Sequence, residues 1–232
     1  MTLIDQKISN ISVIIPCRNE EANIAKAIQS AAPEAFEIIV VDSGNDSSAR
    51  IASQLGCNVL TAPPGRASQM NAGATAASGE ILLFLHSDTV LPTGYSVQIN
   101  KILRHPNCAC GAFQLHINQS GLAIRLIELC TNIRAKLFSM PYGDQAIFIH
   151  KSLFDSVGGY RDVPFLEDVL LIKTMQRRGT ITLAKQKVTT SGRRWQRDGV
   201  LKTTLTNRLI MLGFLLGASP ERLQHCYRIT KK

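Results

Sequence analysis

Three short polar clusters each follow an apolar run, and their residue types are those that handle phosphates and divalent cations. They read Pro16-Cys17-Arg18-Asn19-Glu20-Glu21, Asp42-Ser43-Gly44 and His86-Ser87-Asp88-Thr89. A carboxylate at a strand end can accept hydrogen bonds from ribose hydroxyls or a base N–H, which makes Asp42 a candidate for that contact. Asp also starts turns by bonding its own backbone, and taken alone the residue reads as such a turn. Asp88 ends the run Ile81-Leu82-Leu83-Phe84-Leu85, where a hard oxygen ligand suits Mg²⁺ or Mn²⁺ bridging a diphosphate. His86 stands two residues away, either as an assisting ligand or as a structural residue bonded to a neighbouring loop. No GxGxxG follows the first apolar run and no GxxxxGK[ST] occurs, which argues against dinucleotide oxidoreductases and P-loop phosphotransferases.

The elements that must position these clusters alternate over the first hundred residues. A β-rich run over residues 11–15 stops at Pro16, and Asn19 is expected to cap a helix carrying Ile24, Ala27, Ile28 and Ala31 on one face. Residues 36–41 predict a second strand, and a helix through Ile51 and Leu55 closes at Gly56. A third strand near Val59, a helix over 67–77 and a strand over 81–85 follow. Strands joined by helical crossovers predict an α/β fold with a mostly parallel central sheet flanked by helices. Ligands of such sheets sit beyond the carboxyl ends of the strands, where the three polar clusters fall.

The second half reads less regularly. It predicts a helix ending near His105, a strand over 111–117, an amphipathic helix over 122–138, a strand over 145–149, a helix over 166–178, a short strand over 181–184 and a basic C-terminal segment. With no repeat, low-complexity tract or linker, one domain over 1–232 is expected, with a ligand-binding half at about 11–105 and a second half at about 106–232.

Composition bounds the partners. The chain has 232 residues, 45% hydrophobic and 19% charged, as expected for a globular protein and unlike disorder. A formal charge of +9 favours an anionic partner. With 6% aromatics and no interleaving of basic and aromatic residues, nucleic acid is not expected to be that partner. The six cysteines form no CxxC pair, which predicts a reducing compartment. No basic n-region leads into an apolar h-region, so a cytoplasmic location is expected. The longest uncharged apolar stretch, residues 209–218, is far shorter than the roughly 18–20 residues a bilayer span needs. With Lys202 and Arg208 upstream, that stretch reads either as an interfacial helix at the inner membrane face or as one packed on the core.

The series Ser12-Val13-Ile14-Ile15-Pro16-Cys17-Arg18-Asn19-Glu20-Glu21, Ile39-Val40-Val41-Asp42-Ser43-Gly44, Gly65-Arg66-Ala67 with Asn71-Ala72-Gly73, and Leu85-His86-Ser87-Asp88 resembles family 2 nucleotide-sugar glycosyltransferases. The resemblance continues through Gly143-Asp144-Gln145 and Phe165-Leu166-Glu167-Asp168 to Arg193-Arg194-Trp195. It is nearest a short bacterial branch whose metal motif reads His-x-Asp, associated with arsenosugar-type and carotenoid-type glycosylation. His86 replaces the first acid of the usual Asp-x-Asp.

The resemblance implies a GT-A fold, a Rossmann-like nucleotide-binding half and inversion at the anomeric carbon. It also implies Mg²⁺ or Mn²⁺ as cofactor and a UDP- or GDP-sugar donor. Pro16, Arg18, Glu20, Asp42, Arg66, Asn71, Ser87 and Asp88 would then bind the nucleotide sugar, and Asp88 with His86 the metal. Arginines 193 and 194 could pair with the diphosphate, and Trp195 could wall the acceptor site. Asp168, with Glu167 beside it, matches the position of the base that takes the acceptor proton, although two acids at a helix start also simply complement its dipole. The acceptor would be a hydroxyl or carboxylate on a lipid-linked molecule or a small metabolite. A sugar nucleotidyltransferase, whose glycine-rich loop is missing here, and a non-catalytic sugar-nucleotide binding module are the rival readings.

Overall fold

The computed structural model describes residues 10–229. Its core is one eight-stranded sheet in the order β3-β2-β1-β4-β7-β6-β8-β5. These strands are β1 (Ile11–Cys17), β2 (Glu37–Asp42), β3 (Asn58–Thr61), β4 (Ile81–Phe84), β5 (Thr89–Val90), β6 (Cys108–Asn118), β7 (Phe148–His150) and β8 (Thr180–Ser191). The first four lie parallel through helical crossovers α1 (Ile24–Ala31), α2 (Ser48–Gln54) and α3 (Arg66–Ala76). β7 runs antiparallel to both its neighbours, β6 and β8 are parallel, and β5 closes the far edge antiparallel to β8.

Every residue of β1 is buried, because helices cover both faces of the sheet. Ile11, Val13 and Ile15 join Ile24, Ala27 and Ile28 of α1 on one side, while Ile14 joins Met70 and Ala74 of α3 on the other. The two-residue period of the strand thus feeds two cores. Register places Cys17 beside Asp42 and Ile14 beside Phe84, so the chain leaves β1, β2 and β4 at one edge.

The remaining helices are α4 (Tyr95–Leu103), α5 (Leu122–Leu137), α6 (Lys151–Ser156), α7 (Glu167–Met175), α8 (Arg193–Asp198), α9 (Val200–Leu215) and α10 (Pro220–Ile229). The basic C-terminal segment is thus helical, and Leu166, Val169, Ile210 and Leu223 tie α7, α9 and α10 into a third apolar cluster. No described helix is long and apolar enough to cross a membrane.

Several local expectations need correction. Asn19 does not cap α1: Asn23 holds that position, and Asn19 takes a left-handed backbone (φ 56°). Its Oδ1 instead accepts from the Asn45 N–H at 3.0 Å, which joins the loops after β1 and β2. The expected strand over 145–149 is a 3₁₀ turn (Gly143–Gln145) followed by the short β7, since the Gln145 amide turns inward and donates to the Phe113 carbonyl at 3.0 Å. α6 was not anticipated. The expected strand over 181–184 is the start of the twelve-residue β8.

Candidate active site

The loops leaving β1 and β4, the 143–145 turn, the start of α7 and the start of α8 converge on a cleft of about 850 Å³. Pro16, Arg18, Glu20, Arg66, His86, Ser87, Asp88, Glu167, Asp168, Arg193, Arg194 and Trp195 all border it. Asp42 and Asn71 do not. Asp42 is buried at the end of β2 with its Oδ1 unpartnered. Asn71 exchanges two hydrogen bonds with the backbone of Tyr160, at 2.8 and 2.9 Å, and so fastens α3 to the loop before α7.

The loop ends are held from below. Gln69, buried on the inner face of α3, donates through Nε2 to the carbonyls of Cys17 (2.8 Å) and Val41 (2.7 Å). These are the last turns of β1 and β2, so one amide fixes both exits. Close approach of the loops also requires Gly44, where a β-carbon would stand 2.5 Å from Asn19 Oδ1 and 2.7 Å from the Asn19 nitrogen.

Asp88 is the carboxylate of the β4 exit. Burial pushes its pKa up and Glu20 adds to that, while Arg193 and Arg66 hold it down. Arg193 donates to Glu20 and lies 3.3 Å from Asp88 Oδ2, one guanidinium spanning both acids. Among the described residues no group of three or more His, Cys, Asp or Glu side chains could hold a metal unaided. The donor set fits Mg²⁺ or Mn²⁺ shared with a ligand: such ions bind readily through one or two carboxylates, with phosphate oxygens and waters completing the shell. His86 is neutral, since burial and then Arg66 push its pKa down to about 3. A β-carbon on Gly143 would stand 3.1 Å from His86 Nε2 and 3.3 Å from Asp168 Oδ2, so the ring is directed at the 143–145 turn.

Across the cleft, Leu166 precedes α7 in a left-handed conformation (φ 64°) that L-residues other than Asn and Asp seldom adopt. Its burial in the third apolar cluster holds it there, and strain of this kind concentrates at functional sites. The turn presents Glu167 and Asp168 differently. Glu167 is buried, its nearest cation being Arg66 Nη1 at 4.0 Å. Burial, and next the neighbouring Asp168, raise its pKa to about 7. Asp168 borders the cleft and accepts from the N–H of Gly143 at 2.7 Å and of Val169 at 2.8 Å.

Three further residues complete the site. Asp144 borders the cleft with its Oδ1 unpartnered, and burial lifts its pKa to about 6 against the pull of Arg134. Arg134 of α5 lays its guanidinium 3.5 Å from the Tyr142 ring centre and donates to the Met140 carbonyl, bracing the turn that carries Asp144. Asn207 of α9 accepts from Arg194 at 2.8 Å. The Gly143-Asp144-Gln145 string signalled Asp144, but Arg134 and Asn207 sit in helical runs whose pattern shows no site.

A model of glycosyl transferase family 2 matches residues 12–161. An uncharacterized glycosyltransferase of Rickettsia felis is 27% identical over 188 residues, which is 77% of this chain and 65% of that one. This chain therefore spans slightly less than two thirds of that relative's length. Among solved structures, the mannosyltransferase PcManGT of Pyrobaculum calidifontis in complex with GDP-Man and Mn²⁺ superposes with a TM-score of 0.65 at 16% identity, over 85% of this chain and 62% of that one. Glucosyl-3-phosphoglycerate synthase of Mycobacterium tuberculosis, with Mn²⁺, UDP and glucosyl-3-phosphoglycerate, gives 0.59 at 23% identity, over 85% and 79%. At these identities the likeness is one of fold, and that fold is GT-A.

Proposed function

The chain belongs to glycosyl transferase family 2, and from that premise we propose that it transfers a sugar from a UDP- or GDP-sugar to an acceptor hydroxyl or carboxylate, with inversion. The observation that carries the reading is the cleft itself, in which a strand-end carboxylate, several arginines and a second, separately held carboxylate face one space. The two solved neighbours, whose complexes contain GDP-Man or UDP with Mn²⁺, support a donor of this class.

In this reading Arg18, Arg66, Arg193 and Arg194 draw the donor diphosphate into the cleft, and Pro16, Glu20 and Ser87 border the nucleotide. Asp42, whose unpartnered oxygen is buried behind the cleft, would reach base or ribose only through a shift of the loops after β1 and β2. Asp88 would hold Mg²⁺ or Mn²⁺ against the diphosphate, where the cation supplies neutralisation of charge building on the leaving group. Asp168 is the base. It takes the proton of an acceptor hydroxyl as that oxygen bonds to the anomeric carbon, while the bond from that carbon to the diphosphate breaks and the nucleoside diphosphate leaves. Hydrogen bonds from Gly143 and Val169 fix the Asp168 carboxylate for this step. His86, expected as a second metal ligand, is directed at the 143–145 turn beside Asp168 and would face the acceptor instead in this reading, with Trp195 as a wall of the acceptor site.

The test is incubation with UDP- and GDP-sugars, Mn²⁺ and an acceptor panel, monitoring the phosphate product. Nucleoside diphosphate is expected, with metal-dependent turnover lost in Asp88→Ala. Pyrophosphate release would point to a nucleotidyltransferase, and donor binding without turnover on any acceptor to a binding module.

A further inference from the structure

The side of the molecule formed by α5 and α9 carries apolar surface that no described residue covers. On α5, Leu122, Leu126, Leu129, Ile133 and Leu137 recur at the spacing of one helical face and are 45–90% exposed. On α9, Leu201, Leu205, Leu209 and Leu212, with Leu216 just past its end, do the same at 52–86%. Scattered exposed leucines are ordinary, but two continuous stripes are not.

α5 cannot roll to hide its stripe. Its inner face is bonded to β6, with Asn132 accepting from the Leu115 N–H and donating to the Leu115 carbonyl, and Glu128 accepting from the Ile117 N–H. α9 is fixed likewise by Ile210 in the third apolar cluster. Ile127 and Thr131 of α5, and Thr204 and Arg208 of α9, border the same cleft, so both stripes flank one opening.

Charge decides what covers them. On α5, Arg125 is tied to the buried Glu128 and Arg134 to the Met140 carbonyl, which leaves Lys136 as the exposed cation; α9 exposes Lys202 and Arg208 and carries no acid. This face of a chain with formal charge +9 would repel its own copy. It matches a surface that is negative outside and apolar beneath. Cations on such helices reach the lipid headgroups while leucines enter the acyl boundary.

We propose that the leucine faces of α5 and α9 are a docking surface for an anionic lipid membrane, which sets the cleft opening at the headgroup layer. The proposal stands on exposed surface alone and does not depend on which reaction the cleft performs.

The test is co-sedimentation of the full chain with vesicles of phosphatidylcholine alone and with about 30% phosphatidylglycerol, at low and high salt, without donor or metal. Binding is expected to the anionic vesicles and to weaken with salt, because surface attraction is screened over roughly 10 Å at 0.1 M. Two variants separate the contributions. Leu126→Ser with Leu205→Ser should lower the partition coefficient about tenfold or more, through lost apolar burial, and Lys136→Glu with Lys202→Glu should remove the salt dependence. All four positions are exposed, and far-UV circular dichroism verifies folding. No binding at low salt overturns the proposal, as does binding that the leucine variant leaves intact. A concentration-dependent dimer in analytical ultracentrifugation that the leucine variant abolishes would assign the face to a second copy instead. Since no turnover is measured, failure here is distinct from failure of the transfer reading.

Discussion

Two adjacent acids at one helix start, Glu167 and Asp168, have different surroundings: one is buried and the other is held by two backbone N–H groups at the cleft. Asp168→Asn keeps shape and loses the proton acceptor, so transfer should fall about 10² to 10⁴-fold while calorimetric donor affinity stays nearly unchanged. Near-normal transfer by this variant, or a collapse confined to Glu167→Gln, would move the base to Glu167. Glu167 makes a separate prediction about stability. Its pKa, raised from 4.5 to about 7 in the fold, means that between those values the folded chain binds more protons than the unfolded one. Stability contributed at this position therefore falls as pH rises through that interval. Glu167→Gln carries no such slope, so its melting temperature should gain on the parent's between pH about 5 and about 8. Parallel melting curves across that range would contradict the assigned burial.

Gln69 joins two strand exits through one side chain, and the consequence belongs to α3 rather than to any chemical group. Gln69→Leu keeps the approximate volume and leaves the carbonyls of Cys17 and Val41 without that partner, which should cost about 1–3 kcal/mol. Thermal melts would read the loss. Donor affinity should fall with it, because the loops after β1 and β2 would no longer be held in register. This residue also shows where sequence reading stops. The strands β1, β2 and β4 and the helices between them are legible because both faces of the sheet are covered: buried strands appear as unbroken apolar runs and helices as apolar positions three and four apart. The polar ends of those strands, Asp42 and Asp88 among them, are legible for the same reason, standing out against what precedes them. Gln69 is a polar residue on a helix whose partners lie 52 and 28 positions away, and no local pattern encodes them. Lys185, Gln186 and Lys187 break the apolar run of β8, so the sequence predicts a strand only over 181–184, although pairing with β6 carries it through to Ser191 with a register shift on the way. Gln145 reads as the start of a strand because the apolar residues 146–149 follow it, while its amide answers to a carbonyl on β6.

At the scale of the whole molecule, the three-helix C-terminal segment does more than cover the sheet. It brings Arg193, Arg194 and Trp195 to strand exits formed by the first hundred residues, and α7, α9 and α10 share one apolar cluster behind the acids of α7. Arg193 opens α8, which leads almost directly into α9, and its guanidinium spans Glu20 and Asp88. Arg193 thus places an internal counter-ion where, in the proposed reading, metal and diphosphate would gather. A cation held there by Asp88 would make that internal one redundant, and Arg193 would let go of Asp88 or turn to the phosphates. In the proposed reading, donor loading would thereby signal to the last quarter of the chain by a swap of counter-ions. Amide exchange should detect it as altered protection across residues 193–198 on adding UDP with Mn²⁺, while β1 and β4 stay unchanged. UDP without the cation should leave the tether largely in place, and identical protection in all three states would show that Arg193 never yields.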